Sequence, residues 1–427
     1  MSDLIGRDGN RWRSGAAVLV ASLAAIAGCG DVSDGGAGGG DDTTAVSNAG
    51  AAAAQQWVDT WASGPQLVET ANLPPAPGLS GNTLRQLVHV SVGGTWLRMQ
   101  LSNESGNSAV TMDSVHIAVS RGGGAIDTAT DTEVPFSGAA SVTIPAGQMV
   151  FSDGFFFNLA PLSDVAITIH FASQSGSVTG HPGSRTTSFI QRGNAVSAAS
   201  FASPVSVEHW YYIMNLNAFI ATPGGTLIAL GDSITDGRGS TINGNNRWPD
   251  DLARRLHANG ATLNVGVANQ GIGGNAVVSG GLGPTAASRF DHDVVRQRNP
   301  RWVIVLEGVN DIGGSGSQQV ATNLINAYQQ MINQAHQAGI RAFGVPILPF
   351  GGSMYDTADH QASRTTVNNW IRTSGQWDAV IDLDAVVRDP ANGNRLQASF
   401  DSGDHLHLTP AGYQAMANAI SLALFNP

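Results

Sequence analysis

The stretch "IALGDSITDG", residues 228–237, decides how the chain is read. An apolar run ends at Leu230 and Gly231, and an aspartate, a serine and a second glycine follow within seven positions. An apolar run of this length with turn residues behind it reads as a buried strand entering a tight turn. A turn uses glycine and tolerates Asp232, but it does not need Asp232 and Ser233 side by side. Ser233 is therefore a turn hydroxyl or a nucleophile, and the surrounding sequence has to separate the two.

Downstream of "ATPGG" (221–225) apolar runs alternate with helical patterns. The strands expected are 226–230, 263–268, 302–306, 342–347 and 379–383. Between them apolar residues recur at helical spacing: Trp248, Leu252 and Leu256; Phe290, Val294 and Val295; Val320, Leu324, Tyr328, Met331 and Ile332. A last stripe follows Pro410, with Tyr413, Met416, Ile420 and Leu424. Five strands alternating with helices predict an α/β domain, a parallel sheet covered on both faces, over 223–427. In such sheets ligands bind at the carboxyl ends of the strands, which is where Ser233 lies.

Upstream, residues 55–222 have a different rhythm. "LVHVSVGG", "TWLRMQLSN", "SVHIAVSR" and "VAITIHFAS" alternate or run apolar over short spans, separated by Gly, Asn, Ser and Pro. This predicts an antiparallel, β-sandwich-like domain. Residues 29–54, "CGDVSDGGAGGGDDTTAVSNAGAAAA", lack large apolar side chains and read as a flexible linker. Residues 1–28 place Arg7, Arg11 and Arg13 before an apolar run from Ala16 to Ala27, the pattern of an export signal. The run ends "IAGC", which resembles a bacterial lipobox and marks Cys29 as a lipidation site. The protein is thus expected outside the cytoplasm, held to a membrane only through that lipid if it is present.

Composition removes several chemistries. All 21 basic residues are Arg, so a Schiff-base lysine, a Ser–Lys dyad and a phosphate-loop lysine are absent. Cys29 is the single Cys, which excludes intrachain disulfides and a core thiolate nucleophile. The formal net charge of −11 gives no basic footprint for nucleic acid. What remains is Ser, His, Asp, Glu and Asn chemistry, and no cofactor or metal is called for.

A serine nucleophile needs a base and a group that orients the base. "DSGDHLHLTPAGY" (401–413) offers Asp404 three residues before His407, on a loop leading into the last helix. Asp401 and His405 are the rival pair there. "EGVND" (307–311) ends the third strand and offers the Asn310 amide as a donor to a developing oxyanion. "NQGIGGN" (269–275) follows the second strand, and its glycines let a backbone N–H approach a ligand. Gly271, Gly273 and Ala276 also satisfy a weak dinucleotide fingerprint, but Asp291, the acid about 20 residues on, falls in a helical pattern rather than at a strand end. A nucleophile elbow, G-x-S-x-G, occurs nowhere in the chain; Thr235 stands where its second glycine would be.

The four elements in this order, "GDSITDG", "NQGIGG", "GVND" and "DHLH", resemble blocks I, II, III and V of the GDSL, or SGNH, hydrolases. The resemblance covers about 223–427 and implies a flavodoxin-like three-layer α/β/α fold. It implies Ser233 as nucleophile and oxyanion donor, Gly274 and Asn310 as further donors, His407 as base and Asp404 as its orienting acid. "HLTPAGY" follows His407 much as His-Pro-x-x-x-Gly-Tyr follows the family's base, with Leu408 in place of proline. The β-rich part, with "WVDTWASGPQ" and "RQLVHVSVGG", looks like an extension carried by some bacterial members, generally viewed as carbohydrate-ester hydrolases or broad esterases. Trp57 and Trp61 within it are read as core before a sugar-stacking platform. The expected activity is hydrolysis of carboxylic esters, short-acyl or carbohydrate-linked, with an acylated polysaccharide as a candidate substrate. The alternatives are a lipase or polyester hydrolase of the same family, or a non-catalytic glycan-binding surface lipoprotein.

Overall fold

The computed structural model describes residues 55–315 and 317–427. Cys29, the signal segment 1–28 and the linker 29–54 lie outside the described residues. The described residues belong to one compact unit.

The α/β part is built on five parallel strands: β1 (Gly225–Gly231), β2 (Val265–Gly271), β3 (Pro300–Leu306), β4 (Arg341–Gly344) and β5 (Ala379–Val380). Their spatial order is β2-β1-β3-β4-β5, the doubly wound order in which the chain reverses direction between β1 and β3. Strand alternation sends successive side chains to opposite faces. Ile228 and Leu230 join Phe290, Leu324 and Met331 on one side, while Leu227 and Ala229 join Trp248, Leu252 and Tyr413 on the other. The helices supplying those stripes are α1 (Ser233–Asp236), α2 (Trp248–His257), α3 (Ala286–Phe290), α4 (Val309–Gly313), α5 (Gln319–Gln337), α6 (Ala358–Thr373), α7 (Leu383–Val387) and α8 (Pro410–Ala419). The parallel sheet and its two helical faces agree with the α/β reading.

Element ends differ from the sequence expectation for physical reasons. Strand β4 stops at Gly344, three residues early, because Pro346 has no N–H and Ile347 N–H donates to Asn368 Oδ1 (2.7 Å) instead of a neighbouring strand. Strand β5 is cut short by Asp382, whose side chain accepts from Ala385 N–H and caps α7. Helix α8 ends at Ala419, so Ile420 and Leu424 lie beyond it, Leu424 within a short 3₁₀ turn.

Residues 55–222 form antiparallel sheets. One sheet orders the strands Gln55–Ala62, Ile213–Ala221, Gly94–Ser102 and Phe155–Leu159; a second contains Ser188–Arg192, Asn82–His89, Asp164–Ser173 and Val110–Gly122. Val58, Leu97 and Leu216 of the first meet Leu84, Ile117 and Ile167 of the second in one apolar cluster. Trp61 is in that cluster, edge-on to Trp210 at 4.9 Å, and Trp57 is half-buried against Phe219. A three-stranded sheet, Gln66–Leu67, Thr179–His181 and Trp210–Tyr211, lies apart from these two.

The two parts of the unit share polar contacts along β2 and β1. Val267 N–H donates to Ser91 Oγ (2.9 Å) and Asp59 N–H to Thr226 Oγ1 (3.0 Å). Arg298 N–H donates to Asp59 Oδ2 (3.0 Å), so a buried carboxylate of the first strand holds the entry to β3. A side chain at Gly266 would collide with the Asp59 carbonyl, which is why glycine stands there.

Candidate active site

Ser233 is the first residue of α1, directly behind β1. Asp232 caps that helix by accepting Ile234 N–H (2.9 Å), and Gly237, at φ +96°, ends it after one turn. The Ser233 carbonyl accepts both Gly237 and Arg238 N–H (2.9 Å each), so the turn is closed around the serine. Its Oγ lies 2.7 Å from His407 Nε2. The other ring nitrogen, Nδ1, lies 2.6 Å from Asp404 Oδ2. With Nδ1–H directed at Asp404, Nε2 is the acceptor for the serine hydroxyl.

The electrostatics follow from the surroundings. Burial tends to raise the Asp404 carboxyl, but the His407 N–H, the imidazole and the Leu406 N–H outweigh it and bring it down to about 2. Burial lowers His407 below its ordinary value; Asp404 opposes this, while the guanidiniums of Arg238 and Arg185 add to it. These surroundings favour the neutral imidazole at His407. The rival pair is a separate unit: Asp401 engages His405, whose half-exposed ring does not bond Ser233.

Asn310 is the second residue of α4, behind β3, so it reaches the crevice beside the reversal point of the sheet. Its Nδ2 donates to the Asn275 carbonyl (2.7 Å) and its Oδ1 accepts from Tyr355 Oη–H (3.1 Å). Both ends of the amide are fixed, and one Nδ2 hydrogen is left for the cavity. In the 269–275 loop, Gly271 N–H donates to Asn269 Oδ1, Ile272 N–H to the Gly231 carbonyl and Asn275 N–H to the Ile272 carbonyl. Gly273 and Gly274 remain, both lining the cavity, with Gly274 at φ +71°. Ser233, Gly274, Asn310, Asp404 and His407 thus line one cavity of about 590 Å³.

Several residues that shape this site were not singled out in the sequence. Arg289 on α3 donates to the Gly231 carbonyl (3.1 Å), the Gln270 carbonyl (2.7 Å) and Asn275 Oδ1 (2.9 Å), and pairs with Asp293 (2.7 Å). It ties the ends of β1 and β2 to the glycine loop. Asp311 accepts Val277 and Val278 N–H (2.7 and 2.9 Å) and holds the far end of the same loop. Beside Ser233, burial pushes Asp232 up to about 7, and burial beside Asp232 raises Glu307 well above the usual carboxyl range. The β-rich part forms the opposite wall with Gln66, Glu69, Asn72, Gly183, Arg185 and His209. His181, also from that part, is buried between the Gly64 carbonyl (2.9 Å) and Asp236 Oδ1 (2.8 Å). Its signal in the sequence was weak, since eleven histidines compete and its partner lies 55 residues on.

Residues 229–415 match the model of the GDSL-like Lipase/Acylhydrolase family. This segment is a GDSL-like lipase/acylhydrolase domain. With that domain the protein is a carboxylic ester hydrolase. No curated protein matches the chain. Among solved structures, a GDSL-like lipase from Bacteroides thetaiotaomicron is 19% identical, with 47% of this chain and 87% of that chain covered and a TM-score of 0.35. A catalytic mutant of an acetylxylan esterase from Geobacillus stearothermophilus is 20% identical over 46% of this chain and 93% of that one, with a TM-score of 0.36. A family two carbohydrate esterase from Cellvibrio japonicus is 11% identical over 87% and 98%, with a TM-score of 0.35. The GDSL-like domain accounts for the α/β part of the chain, and the β-rich region precedes it.

Proposed function

We propose that this GDSL-like hydrolase is an exported serine esterase that cleaves short-acyl or carbohydrate-linked esters through an acyl-enzyme. The observation that carries the reading is the unbroken line from Ser233 Oγ through His407 to Asp404, at 2.7 and 2.6 Å, facing a cavity. Ser233 Oγ attacks the ester carbonyl while His407 Nε2 takes its proton. Asp404 stays ionised and steadies the imidazolium without taking the proton itself. The oxyanion is received by the N–H groups of Ser233 and Gly274 and by the remaining Asn310 amide hydrogen. His407 then protonates the departing alcohol, and a water molecule, deprotonated by the same base, frees the acid and restores Ser233.

The cavity wall made by the β-rich part is polar, which suits a hydroxylated alcohol portion. We take its two antiparallel sheets, which share a core, as a β-sandwich that lends this wall. A second reading, a lipase or polyester hydrolase, is favoured by Leu282 and Met354 on the same cavity, 48% and 87% exposed. Export through a lipoprotein-type signal, with Cys29 as the lipidated residue, is part of the proposal. Incorporation of labelled fatty acid that disappears in Cys29→Ala is the result expected for it.

The test of the esterase reading is hydrolysis of p-nitrophenyl acetate and longer acyl homologues beside two variants. Ser233→Ala is expected to abolish turnover, and Asn310→Ala to lower kcat by about 10²–10³, as loss of one oxyanion donor does. A profile falling from acetate onward supports the short-acyl substrate, and one rising with chain length supports the lipase. Turnover that survives in Ser233→Ala overturns the assignment of the nucleophile.

A further inference from the structure

The cavity carries charge of both signs, but the two signs are not equally engaged. Each carboxylate on it already has partners. Glu69 accepts from Gln66 Nε2 (2.7 Å) and Asn72 Nδ2 (3.0 Å), Asp404 holds His407, and Asp236 lies between His181 and Arg185. The two guanidiniums are different. Arg238 is exposed and, among the described residues, its side chain has neither a carboxylate within 4.0 Å nor a hydrogen-bond acceptor. Arg185, 28% exposed, has only a 3.5 Å approach to Asp236, and its Nε is buried without an acceptor.

Both are held in position by their backbones. Arg238 N–H donates to the Ser233 carbonyl (2.9 Å), and its own carbonyl accepts Tyr413 Oη–H (2.6 Å). The Arg185 carbonyl accepts Asn243 N–H (2.9 Å), and Asn243 binds Thr187 through both side-chain atoms (2.7 and 2.9 Å). Two arginines from different parts of the chain, their backbones tied, therefore line the same cavity as Ser233 with donors to spare. Both arginines line the cavity that His407 also lines, and their positive charge adds to the burial that lowers the basicity of its ring. In ester cleavage that ring delivers its proton to the departing oxygen, so the alcohol part of the substrate lies on its side.

We propose that Arg185 and Arg238 form an anion subsite that receives a carboxylate carried by the alcohol part of the substrate, as on an O-acylated uronic-acid sugar. A guanidinium fork matches a carboxylate with two parallel hydrogen bonds, which a neutral hydroxyl cannot reproduce. The inference rests on the esterase reading and adds to it the charge of the leaving alcohol.

The experiment measures acetate release from an O-acetylated methyl uronoside and from its uncharged uronamide, with p-nitrophenyl acetate as a common reference. The full-length protein is expected to favour the uronoside by at least about tenfold in kcat/KM, the scale of a charge-assisted bidentate contact. That ratio is expected to fall toward one in the double variant Arg185→Gln/Arg238→Gln, and to shrink with added salt in the unaltered protein. Arg238→Gln alone touches only an exposed side chain and should by itself reduce the ratio several-fold, so a folding defect of the double variant does not decide the matter. Equal cleavage of both sugars overturns the subsite and leaves the esterase standing. A preference that persists in both variants overturns the assignment to these arginines. Failure to cleave p-nitrophenyl acetate as well overturns the esterase and the subsite together.

Discussion

At the scale of single residues, Asn310 illustrates how much of a site is orientation. An amide presents either a donor or an acceptor to the cavity depending on which way it lies, and the Tyr355 hydroxyl decides this by occupying Oδ1. Tyr355→Phe should therefore lower kcat by roughly fivefold, the worth of one neutral hydrogen bond of about 1 kcal/mol. In an Asn310→Ala background the same change should have little effect, and full additivity of the two would show that Tyr355 acts elsewhere. The proposed base, His407, makes a second prediction. His407 accepts a proton only when neutral, so kcat/KM rises with pH through its titration. Burial and the two nearby arginines hold that titration below 6.5, so the acid limb should lie below pH 6.5. Removing a positive charge in Arg238→Gln should move the limb upward. A limb that moves down, or starts above 6.5, contradicts this placement of charge. Ser233, Gly274, Asn310, Asp404 and His407, which line one cavity, were named from the sequence through the ordered blocks that carry the family resemblance, since each motif alone reads as readily as a turn or a surface loop. Tyr355 was not, since it is an isolated tyrosine 45 positions from its partner.

At the scale of elements, the strand–helix rhythm was legible wherever apolar side chains repeat, as in α2 and α5. It failed at α6, which no expectation named. That helix reads "ADHQASRTTVNNWIRT", with few apolar residues, because part of its buried face is polar: Arg364 and Asn368 satisfy the carbonyl of Ile347 as the chain leaves β4. Helix α3 has only five residues, yet it carries Arg289, which joins β1, β2 and the glycine loop. Arg289→Gln leaves Asp293 buried beside fewer donors and takes one donor each from the Gly231 and Gln270 carbonyls, so it should cost about 3–5 kcal/mol of stability. Urea unfolding measures this; a loss below about 1 kcal/mol would mean that the neighbouring helices, not Arg289, set the positions of the strand ends.

At the scale of the whole molecule, the boundary near residue 222 marks a change of rhythm and not a break in packing. Strand Gln55–Ala62 is tied to β1 and to the entry of β3 through Asp59, and His181 pairs with Asp236 on the turn that carries Ser233. The sequence gives no sign of these ties, because each joins residues far apart whose side chains are common in surface positions. The expected outcome is one cooperative transition in which far-ultraviolet circular dichroism, tryptophan fluorescence and esterase activity are lost together. Two separated transitions would show that the β-rich part and the hydrolase domain fold independently. The stitch between Thr187 and Asn243 has a consequence of another kind. It anchors the segment 182–187 at one end while Arg185 lines the cavity, and Ser233, His407, Gly274 and Asn310 all lie on other segments. A graft replacing 182–187 is therefore expected to change which alcohol portion is accepted while Ser233, His407 and Asp404 keep their places, the acid limb shifting as the Arg185 charge is lost, which makes this short segment the natural place to engineer selectivity.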